Sequence, residues 1–312
     1  MTRSINIRIY IIGSGVAGLI YSFLDKNCLV IDPNPLGQLN SKYVLGPRLL
    51  QYNKGTEKFF EQYRGALSLN KELKIKALIG YKSNNILYNS ANDEFKKRYS
   101  LLTRGKDEYE ESFLSGSKNI IEHYIFENIE NSYLYLFEKF LELLEKQNRI
   151  IKEKVISIDL NNKKIVTNNN NYQYDNLIST LNIKLFKKLC NRLEEKDEKL
   201  FSTMNKHFYV TKNIYQFCDF DYIYSIDRDY TRKTIYKDYI VYETSEKYED
   251  IKFENKEIIY KVENLPIQIQ NSLNIEKFEE VFLLGRYAQW DHKLQFCSII
   301  PKCSRITKEI YG

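Results

Sequence analysis

Gly13-Ser14-Gly15-Val16-Ala17-Gly18 has the residue types and spacing of a turn that holds a pyrophosphate. Gly13 permits the tight turn, Gly15 lets phosphate oxygens approach the backbone, and Gly18 lets the next helix pack closely on the strand before it. Such a turn aims free backbone N–H groups at an anion from a helix N-terminus. A second strand-like run, Cys28-Leu29-Val30-Ile31, ends in Asp32. A carboxylate there accepts hydrogen bonds from a ribose, and the missing partner for a 2′-phosphate argues against NADP. The chemistry this points to is the binding of an adenine dinucleotide.

The elements that must position these residues follow from the pattern around them. The apolar run Ile5–Ile12 reads as a buried strand that delivers the turn. After Asp32 the simple strand–helix repeat of a nicotinamide dehydrogenase stops, because Pro33, Pro35 and Gly37 interrupt it. Residues 56–150 read as mostly helical, most clearly over Ser132–Gln147, where Leu134, Phe137, Phe140, Leu141 and Leu144 recur at helical spacing and predict a core-facing stripe. Lys154–Leu160, Lys164–Thr167 and Tyr172–Tyr174 read as a three-stranded meander turning at Asn161-Asn162 and at Asn168–Asn171. The meander feeds a buried strand, Asp175–Leu181, that ends in small hydroxyl residues including Thr180. Near the end of the chain, Glu279–Leu284 predicts a short buried strand followed by Gly285-Arg286. Ser298 is expected to cap a last helix, with Pro301 in its first turn and Arg305–Tyr311 continuing it. Between Phe208 and Val262 aromatics alternate with polar residues, which predicts antiparallel strands.

These three separated pieces, in this order, resemble the FAD-binding domain of the amine oxidase and protoporphyrinogen oxidase superfamily. Local segments are similar to those of the UDP-galactopyranose mutase family: the glycine turn, Gly46-Pro47-Arg48-Leu49-Leu50, Tyr230-Thr231-Arg232 with Glu243, and Gly285-Arg286-Tyr287-Ala288-Gln289-Trp290. The resemblance implies a doubly wound, Rossmann-like α/β FAD-binding domain of the GR2 type, assembled from residues 1–55, 150–190 and 275–312. It also implies an inserted helical and antiparallel substrate domain over 56–149 and 191–274.

FAD is the implied cofactor. Gly13, Ser14, Gly15, Ala17 and Gly18 would surround its pyrophosphate, Asp32 its adenosine ribose and Val155 its adenine, with Thr180 also at the cofactor and Gly285 and Arg286 beside the isoalloxazine. Arg48 and Arg286 would stabilise a reduced ring or bind a substrate anion, Trp290 would wall the pocket, and His292 beside Asp291 would move protons. Tyr222, Tyr224 and Arg232 would meet a small-molecule substrate. The chain departs from the mutase pattern at Arg48, where that family has histidine, and at Gly37, where one glycine stands for two. Three functions stay open: an FAD-dependent oxidoreductase, a redox-neutral flavin-dependent mutase, and a non-catalytic module that keeps the fold.

Composition narrows the field further. At 312 residues with 43% hydrophobic content, the chain builds a full core rather than a disordered tail. The net charge of +6, from 47 basic and 41 acidic residues, is mixed along the sequence, so no nucleic-acid groove is expected. Five scattered cysteines lack metal-ligand spacing, and no metal site is expected. With no signal peptide before the first strand and no apolar run long enough to span a bilayer, the expected compartment is the cytoplasm.

Overall fold

Short runs of β-branched and apolar residues that are buried on both faces belong in parallel sheets, and the chain uses them there. The strands β1 (Ile9–Ile12), β2 (Cys28–Ile31), β7 (Ile150–Ile151), β11 (Asn176–Ser179) and β17 (Val281–Leu283) form one parallel sheet in the order β17-β11-β1-β2-β7. The first strand therefore lies at the centre, with the start, middle and end of the chain as neighbours. The computed structural model describes residues 7–36, 43, 50–51, 54–69, 72–104, 120–126, 132–201, 203–214, 220–227, 230–245, 257–268, 275–291, 294 and 296–312.

Helices cover one face of this sheet. They are α1 (Val16–Leu24), α2 (Lys54–Tyr63), α4 (Ser132–Lys146) and α7 (Phe296–Tyr311), and they share a core with Ile11, Val30 and Ile178. Of the predicted α4 stripe, Phe137, Phe140 and Leu144 are buried while Leu134 and Leu141 are half-buried, and Leu136, outside the predicted stripe, is buried with them. The other face carries the meander β8 (Val155–Asp159), β9 (Lys164–Thr167) and β10 (Asn171–Gln173), with α5 (Ile183–Leu189) and α6 (Glu195–Leu200). Ile12, Ile31, Leu177, Ile158, Ile165 and Phe186 make that second core.

The last helix begins earlier than its capping signal predicts. Phe296 is buried against Phe59, Phe60 and Phe137, and this packing starts α7 two residues before Ser298, so Pro301 stands inside the helix. At the far end of α1, the buried Arg149 guanidinium donates to the carbonyls of Ser22, Asp25 and Cys28 at 2.8, 2.6 and 3.0 Å. A cation there satisfies carbonyls that the helix end leaves without partners.

The rest of the described chain builds a nine-stranded sheet. It comprises β3 (Leu50–Gln51), β4 (Glu72–Ser83), β5 (Ile86–Tyr88), β6 (Ile120–Phe126), β12 (Thr203–Lys212), β13 (Tyr222–Ser225), β14 (Arg232–Ile235), β15 (Tyr239–Thr244) and β16 (Ile258–Gln268). The order is β16-β12-β15-β14-β13-β4-β6-β3, with β5 on β4. The expectation of mostly helix over 56–150 is corrected here, since β4, β5 and β6 fall inside that range. Long-range pairing overrides the mixed local pattern: β4 lies between β6 and β13, and one of those pairings is parallel. A helix, α3 (Asp93–Arg104), covers part of one face, packing Phe95 and Tyr99 against Ala77, Ile79, Tyr81 and Tyr222.

Candidate functional site

The glycine turn sits at the carboxyl end of β1, where open α/β sheets bind ligands. Gly13 has a φ of +96°, and a Cβ there would lie 2.5 Å from Thr180 Oγ1, whose hydroxyl donates to the Gly13 and Ile12 carbonyls at 2.9 and 3.0 Å. A Cβ on Gly18 would fall 2.1 Å from the Gly13 carbonyl oxygen. Gly285, at φ +104°, places its missing Cβ 2.9 Å from Ala17 Cβ. Gly13, Ala17, Gly18, Thr180 and Gly285 are thus brought together by close backbone packing.

Gly15 differs from its neighbours. A Cβ built on it meets nothing within 4 Å. It is the N-cap of α1, no side chain caps that terminus, and no acidic residue stands in the first turn. The first N–H groups of a helix have no intrahelical acceptor. Uncapped helix donors beside open space are the arrangement that binds an anion such as a pyrophosphate.

Asp32 closes the opening on the β2 side. Its Oδ2 accepts from the Ser14 amide at 2.6 Å and the Ser14 hydroxyl at 2.8 Å, and its Oδ1 accepts from the Asn34 amide at 2.8 Å. A carboxylate has about four acceptor positions, so capacity remains for a ribose hydroxyl. Val155 begins β8, half-buried and packed on the core below the meander, together with Tyr10, Ile151 and Leu181.

The residues expected nearer the reacting end are placed less uniformly. Arg286 is exposed and directs Nη2 toward the Leu294 carbonyl at 3.4 Å. Trp290 is fully buried, edge-on to Phe201 at 5.3 Å and to Tyr287 at 6.4 Å, with no hydrogen-bond partner for its indole N–H. The indole is therefore a core side chain rather than an open pocket wall. Arg48 and His292 lie outside the described residues, as does Gly37.

On the nine-stranded sheet, register puts Tyr224 opposite Arg232, Tyr222 opposite Thr234, and Arg232 opposite Glu243. Residues directly opposite across a ladder share a face, so the three expected substrate contacts stand together. The Arg232 guanidinium is already engaged by Glu243. Lys206, from β12, reaches the other Glu243 oxygen at 3.6 Å and donates to Ser245 Oγ at 3.1 Å. Burial alone would raise the Glu243 carboxyl, but Arg232 and Lys206 outweigh it and hold it below the ordinary carboxylate range. Arg232 Nε is left without a partner.

Sequence reading missed Lys206 and Tyr43. Lys206 lies in alternate step with Phe208, itself opposite Glu243. Alternation put it on a face, but only register reveals its carboxylate. Tyr43 packs between Tyr239 and Tyr260, with ring centroids at 5.1 and 5.4 Å, so the segment after β2 reaches this same face. No sequence signal announces that contact.

No family model matches the sequence, and no curated protein is similar to it at the sequence level. Solved structures are similar over nearly the whole chain. Reduced UDP-galactopyranose mutase superposes with a TM-score of 0.66 at 12% identity, covering 98% of this chain and 96% of its own. Putrescine oxidase bound to putrescine gives 0.60 at 8% identity, covering 97% and 99%. A putative protoporphyrinogen oxidase from Exiguobacterium sp. 255-15 gives 0.56 at 10% identity, covering 97% and 99%. The chain shares its fold with these solved structures.

Within this fold, the glycine opening and the Arg232 face belong to different sheets. Among the described residues, no group of His, Cys, Asp or Glu has the arrangement of a metal site. None of the described helices is long and apolar enough to cross a membrane.

Proposed function

We propose that this protein is an FAD-dependent oxidoreductase acting on a small molecule, with an amine or a C–C or C–N bond as the oxidised unit. The observation that carries the reading is the opening at Gly15, where uncapped helix donors face free space beside the Asp32 carboxylate. Bound FAD would supply the redox chemistry, exchanging a hydride or an electron pair with the substrate at N5.

In this reading the discontinuous GR2-type domain takes residues 1–55, 150–190 and 275–312, with α2 and α4 packed on its sheet, and the nine-stranded sheet is the substrate domain. The α1 N-terminus, with Gly13, Ser14, Ala17 and Gly18, holds the pyrophosphate by backbone donation. Asp32 orients the ribose while Ser14 fixes the carboxylate. Val155 meets the adenine through its backbone, and Thr180 locks the turn. Gly285 and Arg286 flank the ring, and Tyr222, Tyr224 and Arg232 orient the substrate. Arg48 and His292 are proposed at the reacting end, as anion contact and proton carrier. Glu243 keeps Arg232 in place, and its lowered pKa makes it a fixed negative charge rather than a proton donor.

A second reading, a redox-neutral flavin-dependent mutase, is favoured by the full-length similarity to UDP-galactopyranose mutase and by the Arg232–Glu243 pair. The visible absorption spectrum of the purified protein tests the cofactor, followed by denaturation and identification of the released chromophore. Flavin bands with FAD released near one per chain support both flavin readings, and bleaching of the bands by candidate amines selects the oxidoreductase. A colourless protein that fails to take up added FAD overturns both and leaves a non-catalytic module with this fold.

A further inference from the structure

Large apolar side chains exposed to solvent concentrate in two consecutive elements. Ile86, Leu87 and Tyr88 of β5 are 55%, 47% and 45% exposed, and Leu101 and Leu102 of α3 are 54% and 37% exposed. The helix buries Phe95, Tyr99, Ser100 and Thr103 and turns Glu94, Lys97, Arg98, Leu101 and Leu102 outward. Those five positions form one continuous stripe at 3.6 residues per turn. Each exposed cation stands one turn before an exposed leucine, Lys97 before Leu101 and Arg98 before Leu102. Neither Lys97 nor Arg98 is in an ion pair among the described residues, and together they outnumber the stripe's one carboxylate, Glu94, which stands one turn before both.

Two of the three β5 side chains face the same way, while Leu87, opposite Lys82, lies on the other face of the sheet. Tyr88 is opposite Tyr81, and Ile86 is opposite Ser83. Tyr81 packs under α3 against Phe95 at 5.5 Å, so Tyr88 and Ile86 project from the sheet face that carries the helix. From Ser83 to Asn92 there is no charged residue. In a chain that is 28% charged, this leaves β5 itself without a charged side chain, the nearest charges being the Lys82–Asp227 pair at the hairpin turn.

From this surface we propose that α3 and β5 form a peripheral docking site for an anionic lipid surface. An excess of exposed Lys and Arg beside exposed Leu and Tyr is the composition of an interfacial element: the apolar groups enter the acyl boundary while the cations stay with the headgroups. The net charge of +6 adds long-range attraction of the same sign. The site is independent of the flavin reading.

The test is co-sedimentation of the full chain with phosphatidylserine/phosphatidylcholine vesicles and with pure phosphatidylcholine vesicles. The expected result is salt-sensitive binding to the anionic vesicles alone. It weakens by about tenfold or more in Lys97→Glu/Arg98→Glu and is also lost in Leu101→Ser/Leu102→Ser. All four side chains are exposed, so both variants keep the wild-type circular dichroism and melting profile. Absence of binding to anionic vesicles at low salt overturns the proposal, as does binding that neither variant changes. A concentration-dependent dimer in light scattering that Leu101→Ser/Leu102→Ser abolishes, without vesicle binding, reassigns the surface to a second copy of the chain.

Discussion

Around Gly15 the α1 N-terminus has backbone donors and no side chain to meet them, whereas around Arg232 the charges meet one another. The first region is an opening kept free by glycine packing on either side. The second is a closed cluster of Arg232, Glu243 and Lys206, set between strands. An opening of the first kind costs little stability, because helix N–H groups at a surface are otherwise solvated. A cluster of the second kind has removed charges from water, and its members depend on each other. The glycine-turn end leaves its donors available, while the sheet end already supplies partners for its own charges.

Four changes would break or sharpen that contrast. Glu243→Gln should be the most damaging, because it leaves Lys206 and Arg232 side by side in a buried setting. A loss of about 3–5 kcal/mol is expected, read as a lower urea midpoint at unchanged slope. The same carboxylate sets an acid limit. Its pKa is lowered in the folded protein, so its contribution is complete above the unfolded value near 4.3 and fades as pH falls through the folded one. Urea titrations between about pH 6 and 3 should therefore show the Glu243→Gln variant losing less stability on acidification than the wild type.

Arg232→Met should cost less, about 1–3 kcal/mol, because Glu243 keeps Lys206. If it proves as damaging as Glu243→Gln, Lys206 is not compensating the carboxylate. Gly18→Ala should cost a comparable amount, about 1–3 kcal/mol or more, since its Cβ would meet backbone at 2.1 Å and the neighbour cannot swing away. Gly15→Ala closes the series, with stability expected within about 1 kcal/mol of wild type but a clearly lower flavin-to-protein ratio after purification. Thermal melts and absorbance on the same samples separate the two effects. A Gly15→Ala protein with full flavin content would remove this opening from the cofactor site.

Much of the cofactor end was legible because its signals are local. The glycine spacing, Asp32 at the end of the second strand, the Asn-punctuated meander and the apolar strand before Thr180 each lie within about ten residues, the range over which turn chemistry and strand periodicity act. The helix stripe on α4 was legible for the same reason. The sheet end was legible only in part. Alternation gave antiparallel strands between Phe208 and Val262, but not the parallel pairing of β13 with β4. It also gave no sign that Trp290 would be enclosed by Phe201 and Tyr287, or that residues 72–83 would be a strand.

The sequence by itself determined the glycine turn, the strand that delivers it and the order of the three pieces that surround it, because steric freedom at glycine and burial of β-branched runs are properties of neighbouring residues. Only the tertiary structure decided which charges neutralise each other and which stay available. The sequence links Glu243 to Arg232 only through a resemblance and gives no sign of Lys206. Strand register places Glu243 between Arg232 and Lys206, and register is settled by the packing of whole faces rather than by any single residue.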